Sequence, residues 1–193
     1  MKKAIIGYGG HAREVEAHIS DHITFFVDDE YCTEYHPQLF PLSTFDPTEY
    51  KVMVAISDPG YRKLVVERLP KNTIYFNYID PSAIILGNVD IGEGSFIGAN
   101  CILTTNIQLG PHAILNRSVN IGHDCAIGPY FSAMAGSVVS GDVTIGECFY
   151  MGNNSSIKEK ITIGDNVKIG MNAAVVKDIT QPGTYVGVPV KKI

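Results

Sequence analysis

The chain has 193 residues, 45% of them hydrophobic and 18% charged, with a formal net charge of −5. That balance describes a folded globular protein with room for one domain or two small ones. It speaks against a general nucleic-acid or anionic-membrane binder, which needs a basic face, although a small anionic ligand needs only a local basic patch.

The four cysteines, Cys32, Cys101, Cys125 and Cys148, show no CxxC spacing and no signal peptide precedes them. Reduced thiols in a cytoplasmic protein are expected. No apolar run approaches the roughly 20 residues of a membrane helix, so no membrane insertion is expected.

In chain order, Lys3–Ile6 reads as a short buried strand running into G7-Y-G-G-H-A12. Residues 12–20 have helical spacing, with Ala12, Val15 and Ile19 on one face. Ile23–Val27 is a second strand that ends in Asp28-Asp29, and Lys51–Ile56 a third. Pro59–Leu69 reads as an amphipathic helix with proline in its first turn, and residues 73–78 add a further strand. Residues 1–78 thus form a small βαβ-rich unit, about half of a doubly wound domain.

The glycine stretch fits G-x-G-x-x-G/A between a strand and a helix, with acids about 20 residues on. Glycines let a phosphate approach the helix N-terminus, and a carboxylate suits a ribose or base edge. Half a domain lacks the second mononucleotide half that NAD needs, so a single nucleotide, as in a nucleotide-sugar, fits better. His11 either reaches a phosphate or sugar or stands exposed at the helix start.

From Ile79 onward the pattern changes. In blocks of six, 17 consecutive hexads open with an aliphatic residue, Met or Ala, from Ile79 to Val175 without an insertion. Glycine follows the opener in nine of them, including Gly92, Gly122, Gly152 and Gly170. The fifth position is mostly small or β-branched, as at Ala83, Val89, Cys101 and Val143. A strict period of six belongs to a parallel β-helix of triangular section, 18 residues per turn. The openers point inward, and the glycine and polar pairs turn corners where positive φ is often needed. Seventeen hexads give almost six turns, about 27 Å at ~4.8 Å per coil. Residues 79–193, with their C-terminal tail, form this second domain.

Within the coil stands N120-I-G-H-D-C125. His123 is third in its hexad, which places it outward or at a corner. The residues 18 positions away are Thr105 and Gly141, so a bare backbone lies one coil from the imidazole. A base beside an accessible N–H suits acyl transfer, in which the base takes a proton and the N–H stabilises an oxyanion. Asp124 can hold the imidazole tautomer or support its charge.

The βαβ unit with GxGGH and DD, the coil with L115-N…I-G-H-D-C125, and the ending G183-T-Y-V-G-V-P-V-K-K192 together resemble the NeuD/PglD-type sugar acetyltransferases. The resemblance implies a left-handed β-helix, acetyl-CoA as donor, and often the 4-amino group of a UDP- or GDP-linked deoxysugar as acceptor. It also implies a homotrimer with active sites between subunits, and no metal. Carried over by motif, His123 is the general base, Asp124 its partner and Asn116 a nearby site residue. Gly9, Gly10, His11, Asp28 and Asp29 would hold the nucleotide. Ser132, Gly141, Gly152, Gly170, Val188, Pro189 and Lys191 would hold CoA, with Gly141 on the thioester carbonyl. Ser132 departs from the family, where a second histidine often stands nine residues after the first. Phe131 and Phe149 at fifth positions read as core filling, with local widening of the coil as the alternative.

Residues 151–193 hold six lysines against three acids, either a CoA-phosphate patch or a solvated face. O-acetylation of sialic acid or a related sugar by the same fold is the nearest alternative. A non-catalytic trimeric assembly module is another. A γ-carbonic anhydrase-type zinc site is disfavoured, because His112 and His123 are the outward candidates and Gly128 stands where another histidine is needed.

Overall fold

A computed structural model of the chain describes residues 1–19, 22–32 and 39–193. The N-terminal unit is a parallel sheet of β1 (Lys2–Ile6), β2 (Ile23–Val27), β3 (Leu39–Pro41), β4 (Tyr50–Val54) and β5 (Ile74–Tyr75), in the order β3-β2-β1-β4-β5. The chain winds outward from β1 to β3, then crosses back to place β4 on the other side of β1. The crossing leaves a crevice beyond the carboxyl ends of the central strands, where open α/β sheets bind ligands. Helix α1 (Gly10–His18) begins two residues earlier than its apolar spacing suggests, because Gly9 caps it; residue 20 of the expected helix lies outside the described residues. Helix α2 (Pro59–Arg68) is capped by Asp58, whose carboxylate accepts from Tyr61 N at 2.9 Å. Strand β3 escapes the sequence reading; three residues carry too little alternation to register. The strand expected over 73–78 divides, since Tyr78–Ile79 pairs with Phe96–Ile97 of the coil.

The coil is a parallel β-helix whose short strands stack in an 18-residue register, as in Ile114↔Ser132, Asn120↔Val138 and Ala126↔Thr144. It is the left-handed type. Within the seventeenth hexad the register shortens to 16, with Ile163 bridging Ile179 and, beyond it, Val167 pairing with Gly183. Both the openers and the fifth residues point inward: Leu103, Leu115, Ile121 and Met151 are buried with Cys101, Val119, Val143 and Val167. Two inward residues per short side leave little width, which explains the small fifth residues. Each buried Leu, Ile or Val contributes about 1.5–3 kcal/mol. Phe131 and Phe149 stack inside the coil at 5.8 Å beside the small opener Ala133. They fill the core.

The corner geometry differs from the expectation in one respect. Positive φ falls on the fourth residue of the hexad, from Asn88 through His112, Asp124 and Asp142 to Asn172. The second-position glycines have other reasons to be glycine. A Cβ on Gly110 would lie 2.6 Å from the Gly128 carbonyl carbon and Pro129 nitrogen of the next coil.

Each coil has three sides. The side carrying Phe96, Ile114, Ser132, Tyr150 and Lys168 packs against the N-terminal unit, and Phe96 and Ile114 share a core with Ile5, Phe25 and Met53. Arg62 of α2 is fully buried in this seam. Its guanidinium donates to the carbonyls of His112, Tyr130 and Phe131 and to Ser132 Oγ at 2.8–3.1 Å, and also to the Ile56 carbonyl. Lys63–Glu147, Lys168–Asp58 and His18–Asp80 pair around it. His112, expected to face outward, is 4% exposed because the seam covers it.

Candidate active site

His123 stands at the coil corner opposite the seam, between the sides of Asn120–Ile121 and Ala126–Ile127. Its side chain is 62% exposed. Nδ1 lies 2.7 Å from Asp124 Oδ2. An ionised carboxylate only accepts, so Nδ1 carries the proton and Nε2 presents its lone pair. Asp124 Oδ1 accepts from Asn106 Nδ2 at 3.0 Å, and Asn106 Oδ1 accepts from Asn88 Nδ2 at 3.2 Å. The hydrogen bond from Asn106, with that from His123, holds the Asp124 carboxyl below the usual carboxylate range. A methyl group on Gly141 would fall 2.6 Å from His123 Nε2, so the bare glycine faces the basic nitrogen. Base, orienting carboxylate and adjacent open backbone are thus assembled on one corner, with a groove of about 340 Å³ running beside Asp124 past Asn88, Asn106 and Gln108.

Asn116, Gly152 and Gly170 stack in a different column, on the neighbouring corner toward α1. Asn116 Oδ1 accepts from Arg117 N at 2.7 Å, and Arg117 lies 4.0 Å from Glu14 of α1. The tail continues this edge. Val186 packs over Gly170, and Ala174 pairs with Gly187 O and Val190 N, leaving Val188 exposed beside Pro189 and Lys191. Between the two corners lies one coil side with Ile84, Asn120, Val138, Ser156 and Ala174 in its outer row, of which Ile84, Val138 and Ser156 are exposed.

Ser132 is not on this surface. It is fully buried in the seam, donating to Ser57 O and accepting from Arg62 Nη2, both at 2.8 Å, so its one hydrogen is committed and its oxygen is out of reach of a cofactor bound at the surface of this chain. Arg62 is a residue the sequence reading missed. Nothing in its local pattern separates it from an exposed helical arginine.

The crevice of the N-terminal unit has a volume of about 370 Å³ and is lined by Gly7, Tyr8, Gly9, Asp28, Ile56 and Tyr61, among others. Gly7, at φ 102°, makes the turn out of β1. A Cβ on Gly9 or Gly10 would meet nothing within 4 Å, so the helix N-terminus opens onto free space, as an anion requires. Asp28 is already engaged: Tyr61 Oη donates to it at 2.5 Å and Arg68 pairs with it at 2.9 Å. Asp29 lines an adjoining hollow of about 560 Å³ and accepts from Ser43 N at 3.1 Å, and the bonds from Ser43 lower its pKa. His11 points away from the crevice. It is 8% exposed, not standing free at the helix start, and its ring meets Phe96 edge-on at 5.0 Å. Burial pushes its pKa down to about 4.

Among the described residues no group of His, Cys, Asp and Glu is arranged to hold a metal ion, and no helix is long and apolar enough to cross a membrane. Lys168, one of the C-terminal lysines, is committed to Asp58 at 2.8 Å.

A family model described as the PglD N-terminal domain matches residues 2–69. A second, the hexapeptide repeat of succinyl-transferase, matches residues 88–116 and 142–177. Among solved structures, a histidine-to-alanine variant of GDP-perosamine N-acetyl transferase from Caulobacter crescentus, in complex with CoA and GDP-perosamine, has a TM-score of 0.89 at 24% identity, covering 100% of this chain and 97% of that one. WeeI from Acinetobacter baumannii AYE has a TM-score of 0.87 at 25% identity, covering 100% and 99%. The acetyltransferase domain of PglB from Neisseria gonorrhoeae FA1090, in complex with acetyl coenzyme A, has a TM-score of 0.71 at 24% identity, covering 100% and 98%. Among curated proteins no sequence match is found.

Proposed function

Because the chain belongs to the NeuD/PglD-type family of hexapeptide acyltransferases, we propose that it moves the acetyl group of acetyl-CoA to the 4-amino group of a UDP- or GDP-linked amino deoxysugar. The observation that carries this reading is the corner of His123, Asp124 and Gly141. Nε2 has its lone pair free, its tautomer is set by a carboxylate, and the neighbouring coil presents backbone without a side chain.

In this reading the sugar amine attacks the thioester carbonyl and His123 Nε2 takes the proton the amine loses. The carbonyl oxygen becomes an oxyanion that the Gly141 N–H stabilises. Collapse of the tetrahedral intermediate breaks the carbon–sulfur bond, and the departing thiolate takes the proton from the imidazolium. A general base of this kind contributes roughly 10²–10⁴ in rate. The relatives with bound CoA and GDP-perosamine support both substrate classes.

The position of the N-terminal unit supports a shared site. It covers the coil side opposite the His123 corner, so the crevice and the base of one chain face different directions. A nucleotide-sugar held in one crevice would meet the base of a neighbouring copy. The exposed apolar residues Ile84, Leu86 and Val138 near the coil side next to His123 suit that contact. We infer a homotrimer with acetyl-CoA lying between copies, along the edge of Gly152, Gly170 and the Val188–Lys191 tail.

The test is release of free thiol from acetyl-CoA with UDP-, GDP- and dTDP-4-amino sugars and with free sialic acid. Turnover with a nucleotide-linked amino sugar is expected, and none with any of them would sink the reading. His123→Ala should lower kcat by roughly 10² or more; an unchanged rate would remove it from the role of base.

A further inference from the structure

We propose that Asn106 is a positioning residue for the His123–Asp124 pair, holding the carboxylate through a hydrogen-bonded ladder that Asn88 completes one coil further down. The inference rests on the reading of His123 as general base. It adds residues that neither the family motif nor the crevice points to.

Asn88, Asn106 and Asp124 are 18 residues apart, so they occupy the same corner on three successive coils, about 4.8 Å from one to the next. All three are in the left-handed backbone region, with φ of 50°, 55° and 59°. That conformation aims their short side chains along the corner. The bonds then run in one direction: Asn88 Nδ2 to Asn106 Oδ1, and Asn106 Nδ2 to Asp124 Oδ1. From Asp124 the other oxygen, Oδ2, takes the proton on His123 Nδ1.

The polarity of the ladder follows from its end. An ionised Asp124 has no proton to give, so Asn106 must turn its NH₂ toward it and its oxygen toward Asn88, which must answer with NH₂. Each amide is thereby fixed by the charge at the top. Asp142, the residue at this corner one coil beyond, is also a carboxylate and offers Asp124 no donor. Asn106 is therefore the side chain that satisfies Oδ1. The Asp124 side chain is 52% exposed, and without Asn106 it can rotate into water and leave Nδ1. His123 would then sample the tautomer with hydrogen on Nε2, which cannot accept the amine proton.

Asn106→Gly is the suitable variant, because glycine takes a φ of 55° without strain and only the amide is removed. Two measurements apply. In ¹⁵N NMR of the neutral imidazole, which needs no substrate, wild-type His123 should be the Nδ1–H tautomer, and Asn106→Gly should show a mixture. In the thiol-release assay kcat should fall roughly ten-fold, below the 10²–10⁴ of losing the base outright, with KM for both substrates within about two-fold of wild type. Asn106→Asp, which sets a second carboxylate against Asp124, should lower kcat further than Asn106→Gly. An unchanged tautomer in Asn106→Gly overturns the proposal, even if thermal stability falls, since a merely structural corner residue would give that pattern. An unchanged rate in His123→Ala removes the base reading instead, whatever the tautomer of His123 does.

Discussion

A methyl group at Gly141 would lie 2.6 Å from His123 Nε2 and 2.7 Å from Cε1, closer than nonbonded atoms approach. Gly141 is not in the positive-φ region, so alanine is acceptable to its backbone, and the three nearest atoms it would meet all belong to the ring. Gly141→Ala should therefore displace the imidazole and lower kcat by roughly 10² while the melting temperature stays near wild type; a full rate with an unchanged melt would show that the ring needs no open space there. The same residue shows what was legible at this scale. Counting by 18 from His123 locates Gly141, because the repeat is strict enough for sequence distance to mean spatial distance. It also leads from Asp124 to Asn106 and Asn88, but those lie in the fourth position, where asparagine recurs for backbone reasons and a functional one does not stand out. Ser132, His112 and Arg62 were not legible. Their surroundings are set by the packing of one unit on another, and no local periodicity encodes which coil side is covered.

At the scale of the element, the hexad divides its tasks by position. The first and fifth residues fill the core and the fourth takes the left-handed turn. The second is glycine where the next coil passes too close for a Cβ. This division makes two glycines of the β-helix behave differently. At Gly110 a Cβ would stand 2.6 Å from backbone atoms of Gly128 and Pro129, which cannot move without shifting a whole rung. Gly110→Ala should cost about 1–3 kcal/mol, the usual penalty of overpacking. At Gly87 the nearest atom is Thr105 Oγ1 at 3.9 Å, ordinary contact, so Gly87→Ala should be neutral or stabilise by about 0.4–1 kcal/mol through the unfolded chain. Urea unfolding of the two variants decides the point, and equal effects would contradict it. The period of six was plain in the sequence because every hexad repeats its buried positions. The reason for the glycines was not, since close approach and positive φ select the same residue and only the backbone angles separate them.

For the whole molecule, the seam fixes the N-terminal unit to the coil, and among the described residues it contains two buried histidines. His112 is 4% exposed, stacked on Tyr130 at 5.3 Å and met edge-on by Tyr75 at 4.5 Å; His11 is 8% exposed and set against Phe96. Burial, with the positive charge of Arg62 nearby, holds each pKa down at about 4 from the ordinary 6.5; for His11, Glu14 opposes this in part. The folded protein therefore resists protonating them, whereas the unfolded chain takes up protons near 6.5. Their contribution to stability is fully present above pH 6.5 and is lost as the pH falls from there toward 4. A displacement of this size corresponds to about 3 kcal/mol for each histidine at the bottom of the window. Asp58 and Asp80, which also bind across the seam, have pKa values lowered below the ordinary carboxylate value of 3.8, so their loss belongs to more acid conditions. His112→Asn is the informative variant, since asparagine accepts the φ of 58° at that corner and does not titrate in this range. It should be less stable than wild type at pH 7, where it loses the ring stacking, yet its unfolding free energy should fall less steeply between pH 6.5 and 4. If the two slopes are the same, His112 is not neutral in the folded seam, and the acid sensitivity of the junction must arise elsewhere.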